Sequence, residues 1–196
     1  MLQLNKFYHI YNHANGNENL FLEEKNYLFF LQKMEHHLCP YMKIYAYCLM
    51  PNHFHIVART KDAGDFVEGD ERFESLRKLT KKDAYQFLQK KVSKSLSNLC
   101  NSYAQAFNKM YRRRGSLFMP NFKFKLIEDD MALRRSICYV HNNPIHHGFT
   151  GSITAWSFSS YQFMLTLDTT FLQKEEVLGL FGGKDIFLKI HENHKL

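Results

Sequence analysis

Apolar residues recur along this chain with two different periods, and the switches between them outline an order of strands and helices. Positions 7–13 alternate between the two faces of a strand. Residues 23–38 carry apolar side chains three and four positions apart, as an amphipathic helix does. Strands are predicted over 43–50 and 53–59, and the Pro-Asn link between them favours a hairpin.

The pattern continues with a long helix, a strand and another helix. Apolar spacing predicts a helix over residues 85–113, which a glycine ends. A fourth strand is predicted at 121–127. A helix over 131–142 follows two aspartates that suit a helix start, and Pro144 and Gly148 are expected to close it.

The resulting order, β-α-β-β-α-β-α, matches a ferredoxin-like (RRM-like) arrangement. We therefore predict an α+β fold in which an antiparallel sheet is backed by helices on one face. One further short helix is indicated near residues 175–181.

Charge adds a candidate partner, because it is unevenly distributed along the chain. Lys and Arg total 26 against 19 Asp and Glu, and residues 77–125 hold 13 of the basic residues with a single acidic one. Such a block suggests a polyanion, since Lys and Arg displace counterions from phosphates. A solvated helix face is the alternative explanation. The chain also has 18 Phe and 11 Tyr, which can fill a core or stack on unpaired bases.

The cysteines and the opening residues bear on location. The four cysteines are far apart and form no CxxC pair, no signal-like segment opens the chain, and no apolar run approaches a membrane span. We expect reduced thiols, a cytoplasmic location and no membrane partner.

The sequence His53-Phe54-His55 is the first candidate for chemistry. In a strand, residues two apart share a face, so both imidazoles point to the same side. Paired imidazoles can hold a divalent metal. The HxH pattern alone is weak, because a chain with 11 histidines can contain it by chance.

A tyrosine on the last predicted helix is the second candidate. Tyr139 and Asn143 lie one turn apart on the same helix face. A tyrosine near a metal can attack a phosphodiester, and an amide one turn away can supply an oxygen ligand. The alternative is a tyrosine packed in the core with its hydroxyl hydrogen-bonded.

Together these segments resemble a known family. Met50-Pro51-Asn52-His53-Phe54-His55 resembles the His–hydrophobe–His motif of the single-tyrosine (HUH) transposase superfamily, and residues 139–148, Y-V-H-N-N-P-I-H-H-G, resemble the tyrosine helix of its REP-associated branch. Residues 115–118, the Phe-Lys pair at 122–123 and residues 156–161 also fit that branch. The matches run from about Phe7 to Tyr161 in the expected order.

The resemblance implies roles for individual residues. His53 and His55 would hold a divalent metal, Mg or Mn, with Asn143 as third ligand, although insertion-sequence relatives often have Gln there. Tyr139 would be the nucleophile that forms a 5′-phosphotyrosine and releases a 3′-hydroxyl. Single-stranded or hairpin DNA is the implied substrate, and a homodimer is implied as a possible assembly.

The same resemblance divides the chain. Residues 1–161 would form one catalytic domain, and residues 162–196 a C-terminal extension, helical in part. We predict DNA contacts for basic residues near the motifs, namely Lys109, Arg112, Arg113, Arg114, Lys123, Lys125, Arg134 and Arg135, with His146 and His147 beside them. His9, His13, His36 and His37 fit no pattern and are assigned no function.

Four functions are therefore compared. The first is a transposase or domesticated relative that cleaves and rejoins DNA, and the second is a DNA-binding module without catalysis. An RNA-binding ferredoxin-like domain would need an aromatic segment that this chain lacks. A metalloenzyme acting on small molecules would leave the basic block without a role. The intact His53, His55 and Tyr139 favour the first.

Overall fold

A four-stranded antiparallel sheet forms the centre of the protein, whose computed structural model describes residues 2–193. The strands are β1 (Phe7–His13), β2 (Met42–Met50), β3 (His53–Thr60) and β4 (Lys123–Ile127), and they lie in the order β2-β3-β1-β4. All three pairings are antiparallel. The predicted α+β class and antiparallel sheet are confirmed.

Six helices surround this sheet in the described part of the chain. They are α1 (Glu24–Leu38), α2 (Glu71–Leu76), α3 (Lys81–Met110), α4 (Asp130–His146), α5 (Lys174–Phe181) and α6 (Lys184–Asn193). Short 3₁₀ turns lie at Ala63–Asp65, Ile153–Ala155 and Gln162–Met164. None of these helices is long and apolar enough to cross a membrane.

The sheet has helices on both faces, rather than on one as predicted. Phe54 of β3 packs against Phe30 of α1 with ring centroids 5.0 Å apart, and α3 adds Tyr103 to the same layer. The next residue, His55, contacts Tyr139 of α4. Because consecutive strand residues point to opposite faces, α1 and α4 lie on opposite sides of the sheet. Helix α4 thus covers part of the face that carries the histidines.

Helix α4 starts as expected and extends further than expected. The Asp129 side chain accepts a hydrogen bond from the Ala132 N–H at 2.7 Å, which satisfies one of the unpaired donors of the first turn. The helix then passes through Pro144 and ends at His146. Proline removes a single intrahelical donor, and His147 N–H still bonds to the Asn143 carbonyl at 3.0 Å.

The C-terminal extension is joined to the edge strand β2. Leu172 forms a bridge with Ile44, and Gln173 N–H donates to the Ile44 carbonyl at 2.9 Å. Glu176 of α5 pairs with Lys43 at 3.0 Å. The sequence indicated α5 but not α6. Residues 194–196 of the predicted extension lie outside the described residues.

Candidate active site

A cleft of about 600 Å³ lies between the sheet and α4, and three of the four residues singled out by the two motifs line it, Asn143 being the exception. His53, His55 and Tyr139 line it together with Lys125 and Arg135. The structure therefore brings together a segment near residue 54 and one near residue 139. The four cysteines lie outside this lining and are free thiols.

Strand pairing positions the two imidazoles. In the register of β1 with β3, His13 lies opposite His53 and Tyr11 opposite His55. The His53 and His55 ring centroids are 5.2 Å apart with nearly perpendicular planes. Both side chains are buried, with 2% and 5% of their surface exposed. Burial and pairing hold the two rings in one arrangement.

Hydrogen bonds to Nδ1 leave Nε2 of these rings available. His53 Nδ1 lies 2.7 Å from the Asn52 side-chain oxygen. That oxygen can only accept, so Nδ1 carries the proton and Nε2 keeps its lone pair. His55 Nδ1 lies 2.8 Å from His9 Nε2. When His55 donates in this bond, its own Nε2 also keeps a lone pair, the form in which imidazole binds metals.

Asn143 adds unsatisfied polar atoms at the same place. It is fully buried, and within the described part of the chain neither amide atom of Asn143 nor His53 Nε2 has a hydrogen-bond partner. The Asn143 side chain is close enough to His53 to favour the protonated form of its imidazole. The two side chains are not aligned as in a hydrogen bond. Such atoms are costly to bury unless a ligand satisfies them.

The ring nitrogens of His53 and His55 and the amide oxygen of Asn143 suit a divalent cation as ligands. Two imidazole nitrogens and an amide oxygen are ordinary ligands of such ions. Among residues 2–193, no three His, Cys, Asp or Glu side chains are grouped so as to hold a metal. The candidate set therefore depends on the amide of Asn143 as its third member.

Tyr139 lies at the open side of the cleft. Its side chain is 44% exposed, and its ring centroid is 5.7 Å from those of both His55 and His9. Tyr139 is thus beside the histidine pair of its own chain. Tyr11 also lines the cleft, with its ring 5.6 Å from His55, so the site contains two tyrosines.

Burial keeps the imidazoles neutral. It lowers the pKa of His53 to about 4 and that of His55 to about 2, and the neighbouring imidazoles add to the effect. Burial, with a smaller contribution from Lys125, lowers the pKa of His9 to about 4. Neutral imidazole is the form required of a metal ligand.

The predicted DNA-contact residues fall into three groups. Lys123 and Lys125 are exposed and lie opposite Tyr11 and His9, so they share the cleft face of the sheet. Arg134 and Arg135 are exposed on α4, and Arg135 lines the cleft. Of the remaining four residues, Lys109 lies in the last turn of α3, and Arg112, Arg113 and Arg114 lie in the loop after it.

Arg113 differs from its neighbours. Its guanidinium pairs with Glu18 and also bonds to Asn108 Oδ1 at 3.0 Å and to the Ser116 carbonyl at 2.8 Å. These contacts fix the loop after α3. Lys109, Arg112 and Arg114 are exposed.

Several histidines surround the pair, and sequence analysis assigned two of them no function. His13 stacks on His53 at 4.7 Å, and His9 bonds to His55. His147 reaches His53 at 4.8 Å, which agrees with the placement predicted for it near the site. The alternation of β1 put His9 and His13 on one face, but their partners depend on a strand order that was not predicted. His36 and His37 lie on α1 and are not in the cleft lining.

Comparisons with known proteins found a relative and a solved structure that are similar to this chain. A protein of Haemophilus influenzae named "Putative REP-associated tyrosine transposase" is 24% identical over 116 residues, or 59% of this chain. The chain spans 57% of that relative's length. A solved structure of a REP-associated tyrosine transposase bound to a REP hairpin matches with a TM-score of 0.54. It covers 84% of this chain and 82% of the other at 17% identity, which shows likeness of fold. No family profile matches the chain.

The resemblance to the REP-associated tyrosine transposases is confirmed. It extends to the sheet and helices of a solved transposase of that branch, over most of both chains.

Acid is expected to destabilise the protein through the buried imidazoles. The folded pKa of His9 and His53 is about 4, below the 6.5 of an ordinary imidazole. Below pH 6.5 the unfolded chain therefore binds more protons than the folded protein does. The free energy of unfolding is highest above that pH and declines as the pH falls toward 4. Urea unfolding with chelator at about pH 7 and about pH 5 measures this difference.

His9→Gln removes one of these titrating groups, so its unfolding free energy is expected to depend less on pH than that of the wild type. Equal stability of the wild type at both pH values would contradict the assignment of buried neutral rings.

Proposed function

We propose that this protein cleaves and rejoins single-stranded DNA through a covalent 5′-phosphotyrosine on Tyr139, as a transposase or a domesticated relative acting on hairpin or repeat DNA. The observation that carries the proposal is the position of the Tyr139 ring, 5.7 Å from His55, in a cleft that also contains Lys125 and Arg135. The cleft thus combines a candidate nucleophile, a candidate metal site and basic side chains.

The chemistry requires no energy source beyond the DNA. The Tyr139 hydroxyl loses its proton and its oxygen bonds to phosphorus. The bond from phosphorus to the 3′ oxygen breaks, and that oxygen takes up a proton to become a free 3′-hydroxyl. Attack by a DNA hydroxyl on the phosphotyrosine reverses these changes, so the strand is rejoined without ATP.

Three residues would hold a divalent metal. His53 and His55 would bind it through Nε2, and Asn143 through its amide oxygen. In support, His53 Nε2 and the Asn143 amide atoms are buried without a hydrogen-bond partner within residues 2–193, and the two imidazole rings are 5.2 Å apart. When bound, the metal would polarise the phosphate and offset the charge that develops during attack. Imidazoles bind Mn more tightly than Mg, so use of Mg would depend on its abundance.

Hairpin DNA is the substrate that we propose, because the similar solved transposase is bound to a REP hairpin. Lys123, Lys125, Arg134 and Arg135 would contact phosphates at the cleft, and Lys109, Arg112 and Arg114 would extend this surface. We assign Arg113 to its loop, because Glu18 already pairs with it. A homodimer and a cytoplasmic location stay predictions.

The covalent intermediate can be tested directly, because the cleft offers a matched pair of tyrosines. Wild-type protein, labelled hairpin DNA from the flanks of its own gene and Mn or Mg are expected to give a protein–DNA adduct that survives denaturation. Tyr139→Phe is expected to abolish the adduct, and chelator to prevent it. Tyr11→Phe, which alters the other tyrosine of the cleft, is expected to retain it.

Other results would change the assignment. An adduct lost in Tyr11→Phe and kept in Tyr139→Phe would identify Tyr11 as the nucleophile. Binding of the hairpin without any adduct, across flanks and metals, would favour the alternative function, a DNA-hairpin-binding protein without catalysis.

The basic residues at the cleft are expected to act through phosphate contacts. Lys125→Gln and Arg135→Gln should each weaken hairpin binding and reduce the slope of log affinity against log salt by about 0.7–0.9. Fluorescence anisotropy over a salt series measures both quantities. Lys189→Gln, an exposed charge on α6, is the control and should leave the slope unchanged. Equal slopes for wild type and both cleft variants would place the DNA elsewhere.

A further inference from the structure

A line of buried polar groups connects β2, the tyrosine helix and the last helix of the extension. Tyr47 N–H of β2 donates to Ser160 Oγ at 2.9 Å, and Ser160 Oγ lies 2.8 Å from His141 Nε2. His141 Nδ1 lies 3.0 Å from His191 Nε2, and His191 Nδ1 lies 2.8 Å from the Phe187 carbonyl. Four segments distant in sequence are thus joined by consecutive hydrogen bonds.

The direction of these bonds follows from their two ends. The Phe187 carbonyl can only accept, so His191 Nδ1 carries a proton and, in the neutral ring, His191 Nε2 accepts from His141 Nδ1–H. The Ser160 hydroxyl has one proton, and its oxygen lies 2.8 Å from His141 Nε2 and 3.2 Å from the Tyr47 carbonyl, which already accepts from Ser160 N–H at 2.9 Å. The shorter contact and the lone pair of His141 Nε2 assign the proton to the bond with His141, while the Ser160 oxygen accepts from Tyr47 N–H. With both rings neutral, the donors and acceptors along the line match one another without conflict.

The network is enclosed by aromatic rings. His141 and Ser160 have no exposed surface, and His191 has 1%. Phe187 lies 4.1 Å from His191 and stacks on Tyr161 at 5.7 Å, while Tyr161 lies 5.7 Å from His141. Buried polar networks that are fully paired specify one arrangement of the elements they join, because any other arrangement leaves polar groups unpaired.

The position of Tyr139 depends on how α4 is held. Tyr139 and His141 are two residues apart on a helix, so their side chains point to nearly opposite sides. The Tyr139 ring is 44% exposed and contacts His9, His55 and His146. Pro144, one turn further on, removes a backbone hydrogen bond from this part of α4. The contacts of His141, together with buried apolar residues such as Ile137 and Val140, therefore fix the rotation of α4 about its axis.

We propose that α6 is a positioning element of the active site, in which His191 holds His141 and thereby sets the place of Tyr139 in the cleft. The inference rests on the proposed function, since it gives the C-terminal extension a role in cleavage. His191 and His141 touch neither the DNA nor the reacting atoms; they act through α4. A displacement of about 1 Å in a reacting group can cost on the order of a hundredfold in rate.

Two substitutions of His191 test the role of its hydrogen bonds. His191→Phe keeps an aromatic ring but cannot accept from His141 Nδ1–H, whereas His191→Gln retains an acceptor. At saturating hairpin DNA, His191→Phe is expected to lower the rate constant of adduct formation about tenfold or more while its hairpin Kd stays within about twofold. His191→Gln is expected to recover most of the rate, and Lys189→Gln, exposed on the same helix, to equal the wild type.

Thermal melts of each variant give the folded fraction, to which the rate constants are normalised. A normalised rate for His191→Phe equal to that of the wild type would overturn the proposal. A loss that His191→Gln does not recover would also overturn it, because the effect would then not come from the hydrogen bond.

A second measurement separates this inference from the proposed function. With 3-fluorotyrosine at position 139, the ¹⁹F resonance is expected to shift in His191→Phe and to stay in place in Lys189→Gln, whether or not the protein forms an adduct. An unchanged resonance in His191→Phe would overturn the positioning role. Absence of an adduct from the wild type would count against the proposed function alone.

Discussion

The antiparallel register between β1 and β3 is the constraint on which the candidate site depends. It sets His13 opposite His53 and Tyr11 opposite His55, so that the cleft face of the sheet carries four polar rings side by side. A slip of one residue would move every side chain of a strand to the other face. The apolar side chains of the opposite face, such as Phe54 against Phe30, oppose such a slip, because they would lose their place in the core. Apolar packing on one face of the sheet thus fixes which polar side chains lie next to one another on the other face.

Burial then gives the imidazoles the properties that a metal site needs. Removing them from water lowers the pKa of His53 and His55, and the hydrogen bond at Nδ1 of His53 leaves its Nε2 with a lone pair. Burying polar atoms of His53 and Asn143 without a hydrogen-bond partner costs free energy of folding. A bound cation would satisfy them, and the half-exposed Tyr139 beside them would meet a phosphate entering from solvent.

Local patterns predicted most of this arrangement. Strand alternation placed His53 and His55 on one face, helical spacing placed Tyr139 and Asn143 one turn apart, and the structure has β1 over the predicted residues Phe7–His13. The roles of His9 and His13 were missed, because their alternation says which face they share but not which strand lies beside them. The position of α4 over the histidine face also depends on contacts between residues far apart in sequence, such as His55 and Tyr139. Helix α6 was missed although Ile186, Phe187 and Ile190 have helical spacing. The role of His191 could not be predicted, because its contact with His141 spans 50 residues.

The central claim is that Nε2 of His53 and of His55, with the amide of Asn143, binds a divalent cation beside Tyr139. Electron paramagnetic resonance of Mn²⁺ added to the metal-free protein tests it most directly. We expect one bound Mn²⁺ per chain with magnetic coupling to imidazole nitrogens, and loss of that coupling in a His53→Gln, His55→Gln double variant. Mn²⁺ that stays hydrated in solution with the wild type, or nitrogen coupling that persists in the double variant, would contradict it.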